Sequence, residues 1–217
     1  MKFIMSFSGG KDSTLALDYM LRDNHQLVGL FTTTNKDEGS WFHDINLALL
    51  SKIADSLNTK LLAMPLSQQQ YTEDFEQALQ QLKEEYNIEA IAFGDIDIQK
   101  HFDWCKQRCD KVGIEAIFPL WNKNRLDIVK EFLDLEYKAI IKKVDKKVLN
   151  KDIIGSTLDY KMIDYFQEIG IDECGENGEY HTIVVDGPLF NNEIKVKVDS
   201  IEENEYTYNA KIYLEKE

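Results

Sequence analysis

Several features that would assign this chain to a class at sight are missing. No stretch approaches the roughly 18 consecutive apolar residues of a membrane-spanning helix. No charged-then-apolar leader is visible before the first strand-like segment, so the expectation is a cytoplasmic protein with no membrane partner. Cysteine is scarce, with three in 217 residues, an odd number that supports no disulfide framework. Cys105 and Cys109 stand one helical turn apart, yet no second Cys or His pair completes a zinc site. Positive charge is also short: 25 Lys and Arg face 39 Asp and Glu, a net charge of −14. That balance argues against a nucleic-acid partner, whose binding depends on basic contacts to phosphate. The one basic run, Lys138, Lys142, Lys143, Lys146, Lys147 and Lys151, reads as a solvated face. With three prolines and no Pro/Gly/Ser-rich tract, nothing marks a flexible linker.

Two familiar phosphate loops are absent as well. A G-x-G-x-x-G fingerprint does not occur. A G-x-x-x-x-G-K-[ST] loop fails because Met5 stands at its first glycine and Asp12 follows Lys11. What is present is Ser8-Gly9-Gly10-Lys11-Asp12-Ser13. It follows an apolar run, Phe3 to Phe7, that reads as a buried strand, and precedes Thr14 to Leu21, whose apolar residues recur at helical spacing. Two adjacent glycines let the backbone turn tightly and approach a ligand with no Cβ in the way. The first N–H groups of the helix and its dipole favour an anion there. Lys11 adds a charge, and Ser8 and Ser13 add hydroxyls suited to phosphate oxygens.

Along the chain, apolar runs at Leu27–Thr34, Leu61–Leu66, Glu89–Gly94 and Ile114–Leu120 predict four further strands, the third stopping near Pro65. Helical patterns lie between them. Asp44 is expected to cap a helix carrying Ile45, Leu49, Ile53 and Leu57, and Thr72 one carrying Phe75, Leu79, Leu82 and Tyr86. A further helix spans about Lys100 to Val112. The fold class is therefore α/β: a five-stranded parallel sheet with helices on both faces. Such sheets bind ligands beyond the carboxyl ends of their strands, which gathers the glycine loop, Thr32, Thr33, Gly94 and Asp95 around one crevice. The character changes after Trp121. Helices near Arg125–Leu133 and Leu158–Ile169, a strand at Tyr137–Ile141, and alternation at Ile194–Val198 and Tyr206–Leu214 predict a smaller α+β domain with antiparallel strands. The expected domains are 1–121 and 122–217.

The second segment packs four acidic residues, two glycines, a Cys, an Asn and a His into Asp172 to Thr182, before Ile183-Val184-Val185 and the turn Asp186-Gly187-Pro188-Leu189-Phe190. Composition alone favours a solvated surface loop.

The hexapeptide Ser8 to Ser13 fits S-G-G-x-D-S and resembles the PP-loop ATP pyrophosphatases, of the HUP, adenine nucleotide alpha hydrolase-like class. Their members cleave ATP between the α- and β-phosphates through an adenylated intermediate. Cys174-Gly175-Glu176-Asn177-Gly178-Glu179-Tyr180-His181-Thr182 with Asp186 to Phe190 is similar to the C-terminal signature of the diphthine–ammonia ligase family within that superfamily. Phe42-His43, Gly94-Asp95-Ile96 and Pro119-Leu120-Trp121 also resemble the family pattern. Gly155-Ser156-Thr157-Leu158-Asp159 departs from it, with Ser156 where an arginine commonly follows the glycine. The resemblance implies an ATP-dependent ligase that adenylates a carboxylate and amidates it with ammonia, releasing AMP and pyrophosphate.

What the resemblance implies for the residues follows from charge. The N–H groups of Gly9, Gly10 and Lys11 and the hydroxyls of Ser8 and Ser13 hold the departing pyrophosphate, Lys11 offsets its charge, and Asp12 binds Mg²⁺. Thr32, Thr33 and Gly94 line adenine and ribose, and Asp95 makes a second metal contact or orients substrate. Glu176, Glu179 and His181 serve ammonia and the acceptor, a carboxylate-bearing small molecule or modified protein side chain. His43 is a weaker candidate, and a homodimer is left open. In the family the acceptor belongs to diphthamide synthesis. The Lys-, Asn- and Ile-rich composition is that of a low-GC bacterial genome, in which the acceptor would differ. Two competing readings are a sulfur-transfer or tRNA-modifying enzyme using Cys105, Cys109 or Cys174, and a nucleotide sensor without turnover.

Overall fold

A computed structural model of the chain describes residues 1–35, 39–40 and 46–215. Phe42, His43, Asp44 and Ile45 lie outside the described residues. The chain divides into two compact units, one of residues 1–8 and 12–122, the other of residues 9–11 and 123–217. Among the described residues no helix is long and apolar enough to cross a membrane.

The first unit alternates strand and helix. Its strands are β1 (Lys2–Ser6), β2 (Gln26–Asn35), β3 (Gly39–Ser40), β4 (Leu61–Leu66), β5 (Ala90–Ala92) and β6 (Glu115–Ile117); its helices are α1 (Lys11–Arg22, whose first residue counts with the other unit), α2 (Leu47–Ser56), α3 (Tyr71–Tyr86) and α4 (Gln99–Val112). Five strands are parallel, in the order β4-β2-β1-β5-β6, and the two-residue β3 pairs antiparallel with the far end of β2. The order reverses between β1 and β5, so the crevice of this sheet opens beyond the carboxyl ends of those two strands. One face carries Ile4, Phe31 and Ile91 against Phe75, Leu79 and Leu82 of α3 and Cys105 and Cys109 of α4. Phe3 and Met5, which alternation assigns to the other face, are equally buried. The five-stranded α/β expectation is therefore met.

Local details differ from expectation for identifiable reasons. Helix α2 is capped by Asn46, whose side chain accepts from Ala48 N at 2.8 Å. Helix α3 begins before Thr72, with Gln70 at its N-cap making no side-chain bond. The carboxylate of Asp74 instead accepts from Ser67 N at 2.7 Å, tying the loop to the helix from inside its first turn. Pro65 lies within β4, opposite Thr34. An edge strand tolerates it, because one row of its N–H groups has no ladder partner. The fifth parallel strand is short, since Phe118 to Trp121 form a turn closed by Trp121 N to Phe118 O at 3.1 Å.

The second unit contains α5 (Arg125–Asp134), β7 (Lys138–Asp145), a 3-10 turn (Lys151–Ile153), α6 (Tyr160–Ile169), β8 (Tyr180–Asp186), β9 (Val196–Glu203) and β10 (Thr207–Leu214). Its sheet is antiparallel, in the order β8-β7-β10-β9. Asn124 and Asp159 cap α5 and α6 by accepting from Asp127 N and Met162 N. The lysine run is not uniformly solvated: Lys138 is paired to Asp186 at 2.7 Å, and Lys142 is 6% exposed.

Gly94 is the residue on which the crevice turns. A Cβ there would stand 2.9 Å from Ser13 N and 3.0 Å from Asp12 C. Both are backbone atoms of the first turn of α1, which cannot step aside as a flexible side chain would. Gly94→Ala is expected to lower stability by about 1–3 kcal/mol, the usual range for overpacking, read as an earlier urea midpoint; an unchanged midpoint would mean that α1 moves freely.

Candidate active site

At the carboxyl end of β1, Phe7 N donates to Phe31 O at 2.8 Å, and the chain leaves the sheet. Gly9 then takes φ +76°, a conformation costly for any residue with a Cβ. Across the turn, the hydroxyls of Ser8 and Ser13 lie 3.2 Å apart. Asp12 sits half-buried in the first turn of α1.

Beyond β5, Asp95 is 3.3 Å from His101 Nδ1. Burial pushes the Asp95 carboxyl above the ordinary aspartate range; His101 opposes this and the nearby charge of Asp12 adds to it. The charge of Asp12 acting on Asp95 marks two neighbouring hard-oxygen donors of the kind that suits Mg²⁺. Within β2, Thr32 and Thr33 are half-buried, and the Thr33 hydroxyl is 3.5 Å from that of Tyr71. Tyr71 stacks on Trp104 with ring centroids 5.8 Å apart.

In the second unit, the middle of the glycine loop lies along β8. Val184 N donates to Gly9 O at 2.8 Å, and Lys11 N donates to Thr182 Oγ1 at 3.1 Å. The backbone N–H of Lys11, expected to hold phosphate, is therefore engaged by Thr182. The Lys11 ammonium remains at the loop, 5.5 Å from the centroid of the Tyr180 ring, close enough for a cation–π contact.

The acidic segment before β8 is an ordered turn rather than a solvated loop. Asp172 organises it: Oδ1 accepts from Cys174 N at 3.0 Å, and Oδ2 accepts from Glu176 N at 2.9 Å and from Arg125 Nη1 at 2.6 Å. Glu179 is buried, and its carboxylate accepts from Asn177 N at 3.1 Å, Asn177 Nδ2 at 3.0 Å and, more weakly, Asp172 N at 3.4 Å. Tyr180 closes the turn by donating its hydroxyl to Glu173 O at 2.6 Å. Gly175, at φ +76°, leaves room for the same ring, since a Cβ there would meet Tyr180 Cε1 at 2.8 Å. Glu176 is half-buried, and His181 lies within β8 with its side chain partly exposed.

Sequence reasoning therefore named Glu176, Glu179 and His181 but gave no part to Asp172, Arg125, Tyr180 or Thr182. Asp172 and Thr182 were visible as members of the motif. Arg125 carried no signal, because its partner lies 47 positions away. All three cysteines are buried. Burial pushes the Cys109 thiol up to about 12 and raises Cys105 further, the opposite of what a nucleophilic thiolate needs.

Both halves of the chain are similar to known proteins. Residues 1–116 match the family model described as the diphthamide synthase N-terminal domain, and residues 124–216 the one described as its C-terminal domain. A human protein named diphthine–ammonia ligase is 27% identical over 93% of this chain and 84% of its own length. The mouse protein of that name is 29% identical over the same shares. A Schizosaccharomyces pombe protein of that name is 26% identical over 89% of this chain but only 36% of its own length. A solved structure described as a predicted subunit of tRNA methyltransferase from Methanocaldococcus jannaschii covers 89% of this chain and 100% of its own, at 19% identity and a TM-score of 0.49, a likeness too weak to bear on function. With both halves matched in order, the chain belongs to the diphthamide synthase family.

Proposed function

We propose that the protein is an ATP-dependent ligase that adenylates a carboxylate and amidates it with ammonia, releasing AMP and pyrophosphate. The observation that supports it best is the pairing of the glycine loop to β8 through Lys11 N and Thr182. It puts the loop's lysine on the strand whose preceding turn carries Glu176. The named relatives act, by their names, on diphthine and ammonia; for this chain the acceptor class is a carboxylate on a small molecule or modified side chain.

A carboxylate does not condense with ammonia unaided, because its oxygen is a poor leaving group, and adenylation supplies a better one. The Lys11 ammonium offsets charge on the departing pyrophosphate, and the Ser8 and Ser13 hydroxyls orient its oxygens. Thr32, Thr33 and Gly94 line the nucleoside. Asp12 holds Mg²⁺, with Asp95 as its neighbour; the metal, when bound, supplies charge neutralisation on the phosphates. Glu176 desolvates ammonium and takes a proton as neutral ammonia attacks. Glu179 is better suited to positioning Glu176 than to proton transfer, because its oxygens already accept three hydrogen bonds within the turn. His181 lies beside the acceptor.

Measuring AMP and pyrophosphate with and without ammonia separates a ligase from a sensor without turnover. Glu176→Gln should lower ammonia-dependent turnover by about 10²-fold or more, the usual weight of a general base, and leave ATP affinity unchanged. Glu179→Gln should instead lower the thermal midpoint along with turnover. If Glu176→Gln is harmless while replacing the cysteines abolishes turnover, the ligase reading is wrong.

Lys11→Ala should weaken MgATP binding by about tenfold or more, as expected for loss of one charge-assisted contact. Unchanged affinity in calorimetry would remove the loop from the site.

Asp95 yields a test with a defined sign. Its raised carboxyl costs stability when ionised, so Asp95→Asn should stabilise the metal-free protein at pH 7. The gain should shrink as pH falls through the raised value toward the ordinary aspartate range, where the wild-type group is itself neutral. Urea melts from pH 4 to pH 8 would reveal a pH-independent gain, which would contradict the assignment.

A further inference from the structure

The first N–H groups of a helix have no partner within it and must be satisfied from outside. In α1 the first of them belongs to Lys11, and its acceptor is the Thr182 hydroxyl, 171 positions further along the chain, at 3.1 Å. Ser, Thr, Asp and Asn are the side chains that fill this role best. Of these, only the hydroxyls accept and donate through one and the same atom. A carboxylate at this place would end the run of hydrogen bonds and repel an anion, whereas a hydroxyl can pass the bond on. Gly9, Gly10 and Lys11 belong with β8 to one compact unit, so the arrangement is internal to it.

Thr182 is 5% exposed. Its oxygen accepts from Lys11 N, and its own O–H has no acceptor among the described residues. The surrounding side chains offer none. Alternation puts Tyr180 and Val184 on the face of Thr182, and the residue opposite on β7 is Ile141. Two of these are aliphatic, and the Tyr180 hydroxyl is committed to Glu173 O at 2.6 Å. A buried donor without a partner is destabilising, so a hydroxyl kept in that state beside the glycine loop is placed for a ligand. The same strand face carries the positive charge such a ligand needs: the Lys11 ammonium is 5.5 Å from the centroid of the Tyr180 ring. Thr182 thus holds Lys11 by its backbone while its ammonium stands over the neighbouring position of the same face.

We propose that the Thr182 hydroxyl donates to a phosphate oxygen of the nucleotide, so that β8 completes the anion site of the glycine loop. Lys11 N–H donates to Thr182 Oγ1, Thr182 O–H donates to phosphate, and each bond polarises the next. The phosphate contact expected of the Lys11 N–H is thereby moved one group outward, and Thr182 is a binding residue as well as an anchor. That the anion is a phosphate of ATP rests on the ligase reading.

Magnesium pyrophosphate and MgATP are titrated into the intact protein by calorimetry. Thr182→Val keeps the shape and removes the hydroxyl, and should weaken both ligands by about tenfold or more, the equivalent of one hydrogen bond to a charged group. Thr182→Ser should stay within about twofold of wild type. If the hydroxyl merely fills the place of a phosphate at Lys11 N, its removal frees that N–H; Thr182→Val then binds as tightly as wild type or more so, which overturns the proposal. Because Thr182→Val also removes the acceptor of Lys11 N, the wild-type complex supplies a direct reading. On addition of pyrophosphate, the Thr182 hydroxyl proton should give a slowly exchanging magnetic resonance signal correlated with phosphorus. A pyrophosphate complex without that signal leaves Thr182 an anchor only and overturns the proposal, as does a wild type that binds neither ligand. If the signal is present but the protein forms no AMP from ATP with ammonia, the ligase reading fails and the Thr182 contact stands.

Discussion

Two hydrogen bonds to β8 fix the glycine loop, and the site depends on them. Gly9 and Gly10 give the loop its close approach, but a Gly-Gly pair also loses the most backbone freedom on ordering. Val184 N to Gly9 O and Lys11 N to Thr182 Oγ1 hold it in place. Ligand binding then need not supply that ordering energy, which is what preorganisation contributes to affinity. The arrangement also explains why the loop's middle residues group with the C-terminal part of the chain while its flanks group with the parallel sheet.

The acidic turn before β8 sets its carboxylates in different surroundings. Asp172 and Glu179 are buried or nearly so, and their oxygens accept from backbone N–H groups, Arg125 and Asn177. Such carboxylates hold a turn rigid because removing either leaves buried donors without acceptors. Glu176 enters the same network through its backbone N–H. A rigid turn presenting one carboxylate is a better base than a flexible run of four, since its geometry is set before the substrate arrives.

The parallel sheet was legible in the sequence because short apolar runs alternate with amphipathic helices, and a buried strand such as Phe3 to Phe7 has few alternatives. Its ends were less so. Asn46 and Thr72 compete with neighbours that could cap equally well, and only packing decides between them. Ile114 to Leu120 was apolar enough to be a full strand, yet pairing stops at Ile117 because the chain must turn at Phe118. The glycine loop and the acidic motif were legible because residue type and spacing both matter there. The burial of Glu179 was not, since it depends on which carboxylate the turn encloses. Nor was the bulge in β7, where pairing to β8 steps from Ile141 opposite Thr182 to Lys143 opposite His181: one extra residue reverses which face Lys143 occupies, and nothing in a run of lysines marks where it falls.

Net charge and local chemistry point in opposite directions here, and range resolves the conflict. At long range a chain at −14 repels ATP. At physiological ionic strength, however, charges more than about 8 Å away are largely screened. A bound anion therefore feels the helix N-terminus and Lys11 far more than the distant acidic surface. The acidic surface still acts at longer range, where it disfavours the extended polyanions that need many simultaneous basic contacts. A small anion needs only one or two such contacts at close quarters. Selection for small anions over nucleic acid thus follows from the distance over which each charge is felt.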